Sequence, residues 1–180
     1  MGFHFRRDEA FFPVRSGRAA IIYMAELTRI EMIKLIACSP DGKLVLRGVD
    51  LSKIDLSNLS FAGANLALAN LSSSILRQVD LTKADLSLAD LSYADLLDAD
   101  LRGANLYEAN LVAANLRGVD LRDADLRMAD LREANLRTAD LTGANLWHAK
   151  MEGVHLTFAD IEGAKGLPVD IEQYLSGKQS

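Results

Sequence analysis

A chain of 180 residues has room for one ordinary domain, and with 49% apolar and 25% charged residues it reads as a soluble globular protein, not a disordered one. A formal net charge of −5 excludes a sequence-independent nucleic-acid binder, which needs clustered positive charge to displace counterions from phosphate, and the single cysteine, Cys38, excludes an internal disulfide. Aromatic residues make up only 6%, so leucine and small residues, not large rings, must fill the interior.

The first residues, up to about position 15, carry no pattern and are expected to be poorly ordered. Arg6, Arg7, Arg15 and Arg18 precede the apolar run Ala19 to Ala25, and Leu35-Ile36-Ala37-Cys38 resembles a lipoprotein cleavage site. Charge argues against a signal segment, because Glu26, Arg29, Glu31 and Lys34 interrupt the path to the cysteine. Seven apolar residues are also too few to span a bilayer. The expectation is a cytoplasmic protein with a reduced thiol and no membrane association. Residues 18 to 37 read as a helix with Ile22, Ile30, Ile33 and Ile36 in its apolar set, and Ser39-Pro40-Asp41-Gly42 as a turn out of it.

From Leu46 to Ile161 every fifth residue is a large apolar one, twenty-four in succession, all leucine except Phe61, Met151 and Ile161. Two positions earlier, from Ala64 to Ala159, alanine occupies sixteen of twenty sites, the exceptions being Ser74, Val79, Val119 and Val154. Between the two, from Asp50 to Asp160, Asp or Asn occupies nineteen of twenty-three, the others being Ser60, Ile75, Lys150 and His155. The unit is A-(D/N)-L-x-x. A period of five is incompatible with an α-helix, in which it would scatter the leucines around the cylinder. Ala and Leu, two apart, share one face of an extended segment, while the three-residue step to the next Ala requires a turn. Glycine recurs in that turn at Gly48, Gly63, Gly103, Gly118, Gly143, Gly153 and Gly163. Beyond Lys165, Gly166-Leu167-Pro168 stops the repeat, and Val169 to Leu175 reads as a short helix. The chain thus divides into an N-terminal segment with a capping helix (1–43), a repeat solenoid (44–165) and a C-terminal cap and tail (166–180).

Runs such as ADLSLADLSYADL and ANLRGVDLRDADLRMADL resemble the pentapeptide-repeat family, and most of all its cyanobacterial-type members. The resemblance implies an all-β solenoid: a right-handed quadrilateral β-helix with four units per coil and the Leu/Phe and Ala positions inward. Twenty-four units then give six coils, and residues twenty apart stack. At about 4.8 Å per coil the solenoid is roughly 29 Å long. Leu66, Leu86, Leu106, Leu111, Leu126 and Leu146 become core residues. Open coil ends expose unpaired backbone, so the helix is expected over the first coil and the short C-terminal one over the last.

No catalytic, cofactor or metal site is expected. His4, His148 and His155 have no partners at ligand spacing, and Cys38 has no positioned base. Asp80, Asp100, Asp120, Asp140 and Asp160 should form one column, but parallel carboxylates do not converge as calcium requires, and Lys83, Arg102 and Arg122 are close enough to pair with them.

Individuality lies in the outward positions. Arg102, Arg117, Arg122, Arg127, Arg132 and Arg137 follow the later leucines, and stacking by twenty aligns Tyr107, Arg127 and Trp147 as an aromatic–cation–aromatic column. Leu68, Leu88 and Met128 fall in the next column, with Tyr93, Leu97 and Val112 beyond. Tyr107, Arg117, Arg122, Arg127, Arg132, Arg137 and Trp147 are the candidate partner surface of a non-enzymatic interaction or regulatory scaffold, monomer or homodimer, that binds a protein. The alternative is the DNA mimicry of quinolone-resistance members of the family, which resemble a B-form rod and occupy DNA gyrase. Residues 44–165 hold eighteen Asp/Glu and twelve Lys/Arg, giving 12 − 18 = −6. A duplex of the same length carries about seventeen charges. The gyrase-directed members also tend to more inward phenylalanine and to projecting loops, whereas this repeat has Phe61 alone and no insertion.

Overall fold

Two hydrogen bonds shape the five-residue unit. The amide of each Ala-position residue donates to the carbonyl of the preceding inward residue, as in Ala64 N to Phe61 O (2.9 Å) and Ala104 N to Leu101 O (3.0 Å). The second residue enclosed by that turn has a positive φ, for example 60° at Lys53 and 59° at Leu88, the signature of a type II turn. The other bond comes from the Asp or Asn: Oδ1 of Asp50 accepts from Ser52 N at 3.0 Å, and Oδ1 of Asp140 from Thr142 N at 2.9 Å. The recurring Asx position therefore serves by bonding the next turn, while the unusual φ falls three residues later, where the seven recurring glycines sit. Seventeen other units place a side chain at positive φ, each at a cost of about 1 kcal/mol.

The computed structural model describes residues 28–37, 44–168 and 171. From Val45↔Asn65 to Asn145↔Lys165, every fifth residue forms a parallel bridge with the one twenty later, so four units complete a circuit. Each unit bonds its neighbours through the backbone, as in Asp85 N to Ala64 O (2.9 Å), Leu86 N to Asn105 O (2.7 Å) and Leu88 N to Tyr107 O (2.9 Å). The bridges are isolated single-residue pairs, because a turn follows before a longer strand can form.

Leucine and alanine fill the interior in alternating layers, with Leu66, Leu86, Leu106, Leu111, Leu126 and Leu146 all buried. Ser74, at an alanine position, is buried too, and its hydroxyl donates to Leu71 O at 2.6 Å. No buried side-chain N or O atom among the described residues lacks a partner, so the interior carries no unpaired polar group to offset leucine burial.

The helix α1, Arg29–Ala37, joins this core through Met32, which is buried, and Ile36, which packs against it. Ile30 and Ile33 are exposed, so of the expected apolar set only Ile36 among the described residues lies on the contacting face. The expected start of the helix at 18, Ile22, Cys38, His4, the 39–42 turn and the first fifteen residues lie outside the described residues, as does all of the expected Val169–Leu175 helix except Ile171. Leu167 and Ile171 pack partly against the core. Gly166 occupies the slot where the repeat would place its next inward residue. It has φ +77°, and a Cβ there would run into the Trp147 backbone, so the repeat ends at a site that only glycine fits.

Candidate interaction surface

The circuit has four sides, and the sequence order assigns every outward residue to one of them. Sides 1 to 4 hold the inward residues Leu106, Leu111, Leu116 and Leu121 and those twenty apart from each. Arg127 lies on side 1 with Tyr107 and Trp147; Arg132 is on side 2, Arg117 and Arg137 on side 3, and Arg102 and Arg122 on side 4. The arginines therefore form a band around the solenoid, and the candidate partner surface read from sequence does not come together on one face.

Most of these guanidiniums are occupied. Nη2 of Arg102, Arg122, Arg127 and Arg132 lies 2.6–2.7 Å from the carboxylate of the Asp two residues earlier, with Nε on the other oxygen at 2.8–2.9 Å. On side 4, Arg102 also reaches Asp120 (3.6 Å) and Arg122 reaches Asp140 (3.5 Å), so the stacked carboxylates are bridged by interposed cations. Lys83, expected in this set, makes no ion pair among the described residues. On the other sides asparagine does the same work without charge: Nδ2 of Asn105, Asn110 and Asn115 donates to Asp85, Asp90 and Asp95 one circuit earlier at 2.8–3.0 Å. The Arg122 and Arg127 forks hold the Asp120 and Asp125 carboxyls below the usual carboxylate range. The Arg132 fork, aided by Lys150, holds Asp130 at about 2. At Asp80 burial works against the charge, but bonds from Thr82 and Ser60 win and lower the carboxyl.

The aromatic column is half formed. Arg127 stands over the Tyr107 ring at 5.6 Å from its centroid, whereas the Trp147 ring turns instead to His148, at 6.1 Å and 47°. A hydrogen bond and the charge of Glu108 push the Tyr107 phenol up. Across side 2 lies an open groove of about 630 Å³, running from Glu108 and Met128 at the side 1–2 corner to Tyr93, Val112 and Arg132 towards side 3, with Lys150 on its floor. Tyr93 is 67% exposed and Trp147 54%, and Leu68, Leu88 and Met128 continue the apolar corner along the axis. Sequence reasoning placed Tyr93 and Val112 near this surface but missed Glu108 and Lys150; stacking both by twenty would have found them. It also missed Phe158, 84% exposed on side 3 at a position where the preceding circuits carry Asp98, Gly118 and Thr138.

Among the described residues no group of three or more His, Cys, Asp or Glu could hold a metal ion, and no helix is long and apolar enough to cross a membrane. The family model for pentapeptide repeats matches in eight copies, over residues 45–87, 69–106, 84–123, 99–137, 120–157 and 134–165. The chain belongs to the pentapeptide-repeat family. Members of this family form right-handed quadrilateral β-helices and are in general non-catalytic structural or interaction scaffolds. Among solved structures, this pentapeptide-repeat protein is similar to the pentapeptide-repeat protein Rfr23 of the cyanobacterium Cyanothece 51142 (28% identity, 74% of this chain and 97% of that one, TM-score 0.36). It is also similar to a pentapeptide-repeat protein of the Arabidopsis thaliana thylakoid lumen (32% identity, 71% and 73%, TM-score 0.35). A third is QnrB1, a plasmid-mediated fluoroquinolone resistance protein (22% identity, 68% and 64%, TM-score 0.39). A comparison with curated proteins found no match.

Proposed function

We propose that this chain is a non-enzymatic scaffold that binds a protein partner across side 2 and its corner with side 1. The observation that carries the reading is the Tyr107–Arg127 stack beside a groove walled by Tyr93, Val112 and Met128. Exposed aromatics, Met and Arg in one patch are the residue types that dominate binding energy at protein interfaces, and a contiguous apolar patch is what a monomer otherwise avoids. On side 4 the arginines and aspartates neutralise one another, and exposed pairs of that kind contribute little. The same neutralisation weighs against gyrase-directed DNA mimicry, which needs uncompensated negative charge along the rod.

In this reading the solenoid is a spacer of six circuits, from twenty-four units at four to the circuit, with α1 closing the first circuit through Met32 and residues 166–180 closing the last. The division into 1–43, 44–165 and 166–180, a cytoplasmic location and a monomeric or homodimeric state belong to the same proposal. The test is capture from an extract of the source organism by wild type, by a Tyr93→Lys/Met128→Lys variant and by Arg102→Gln on side 4. Proteins retained by the first and third but lost by the second support this surface; identical retention by all three refutes it. Inhibition of gyrase supercoiling at micromolar protein would move the assignment to DNA mimicry.

A further inference from the structure

Among the arginines of the later circuits, from Arg102 to Arg137, whether the guanidinium is neutralised follows the residue two positions earlier. Where that residue is Asp, as before Arg102, Arg122, Arg127 and Arg132, the guanidinium forks onto it. Before Arg117 and Arg137 it is Asn115 and Asn135, and neither arginine makes an ion pair among the described residues. Both amide oxygens are already used: Asn115 Oδ1 accepts from Arg117 N and Asn135 Nδ2 (both 3.4 Å), and Asn135 Oδ1 from Arg137 N (3.3 Å). The acid nearest along the same column, Asp95, is filled as well, by Arg77 Nε on Oδ2 (2.6 Å) and by Asn115 Nδ2 on Oδ1 (2.8 Å). At the neighbouring corners the Asp98 side chain lies over Gly118 and the Glu133 side chain over Gly153, and neither pairs with the two arginines.

Arg117 and Arg137 are consecutive in their column, with Gly118 N bonded to Arg137 O at 3.0 Å. Their backbones are thus one circuit apart, about 4.8 Å. Two exposed cations at that spacing repel each other, and no carboxylate among the described residues forms an ion pair with either. Two guanidiniums on neighbouring circuits can converge on one tetrahedral oxyanion, whose oxygens can each accept from a different guanidinium. The charge selects further. Two guanidiniums carry +2, a carboxylate or phosphodiester −1, and a phosphate monoester close to −2 at neutral pH.

We infer that Arg117 and Arg137 form a subsite for a phosphate monoester dianion carried by a phosphorylated side chain of a protein partner. The subsite is on side 3 and shares no residue with the side 2 groove, so it stands whether or not that groove binds a partner. It makes the solenoid able to hold two ligands on different sides.

The experiment titrates isotope-labelled protein with a short Gly/Ser peptide bearing one phosphoserine, following the arginine Nε–Hε signals at low ionic strength. Saturable shifts at Arg117 and Arg137, absent with the unphosphorylated peptide, are expected. R117Q/R137Q should abolish them, R117K/R137K should weaken binding about tenfold by keeping charge without the fork, and R102Q/R122Q should change nothing. Melting temperature checks that each variant is folded, which the exposed, unbonded arginines favour. No saturable shift, an equal loss in R102Q/R122Q, or tighter binding of a single-stranded oligonucleotide at the same residues would overturn the inference.

Discussion

The guanidinium of Arg127 lies 5.6 Å from the centroid of the Tyr107 ring while its Nε and Nη2 grip the Asp125 carboxylate, so one side chain is fixed from two directions. A cation held over an aromatic face without rotamer freedom is a pre-organised anchor. Arg127→Gln should therefore weaken partner capture while leaving the melting temperature nearly unchanged, since the ion pair is exposed. A large drop in melting temperature with capture intact would make the stack structural instead.

Adjacent residues should respond in opposite ways. Leu111 is buried in the leucine column and Val112 is half-buried on the groove wall. Leu111→Lys places an unpaired charge in a dry interior and should cost several kcal/mol in denaturant unfolding. Val112→Lys should be tolerated. Equal losses would mean the inward phase is wrong.

Acid stability depends on Asp130. The Arg132 fork and Lys150 hold its carboxyl at about 2, below its ordinary 3.8. A lowered folded pKa means that the contribution is fully present above the unfolded value and disappears as the pH falls through the folded one. Wild-type stability should thus decline between about pH 4 and pH 2 partly through this group, and Asp130→Asn should flatten that limb while lowering stability at neutral pH. Parallel acid limbs for the two proteins would contradict the assignment.

Backbone strain gives a paired test at Thr138 and Gly166. Thr138 is β-branched at φ 58°, so Thr138→Gly should stabilise by about 0.5–1 kcal/mol. Gly166 has φ +77° and no room for a Cβ beside Trp147, so Gly166→Ala should destabilise by about 1–3 kcal/mol. Thermal unfolding of both variants should show shifts of opposite sign.

The repeat was legible because a circuit filled by one leucine and one alanine per unit tolerates no insertion, so spacing alone located the interior. Stacking by twenty also brought Tyr107, Arg127 and Trp147 into one column. What it did not carry was the direction of the side chains. Trp147 turns to His148, and Arg127 is held on Tyr107 by Asp125, two residues back. Nor did grouping arginines by their place after leucine show that they circle all four sides, or that Asn115 and Asn135 leave two of them unpaired. The contacting face of α1 was not legible either. In a nine-residue helix with several apolar side chains, the circuit beneath it selects Met32 and leaves Ile30 and Ile33 outside.

The most direct test of side 2 and its corner with side 1 as the binding surface is site-specific photo-crosslinking in an extract of the source organism. A photoreactive residue at Val112, on the groove, is compared with one at Thr142, on side 4 across the solenoid. A discrete crosslinked protein from position 112 and none from position 142 is the predicted result. Crosslinking from position 142 alone, or the same products from both, would contradict it.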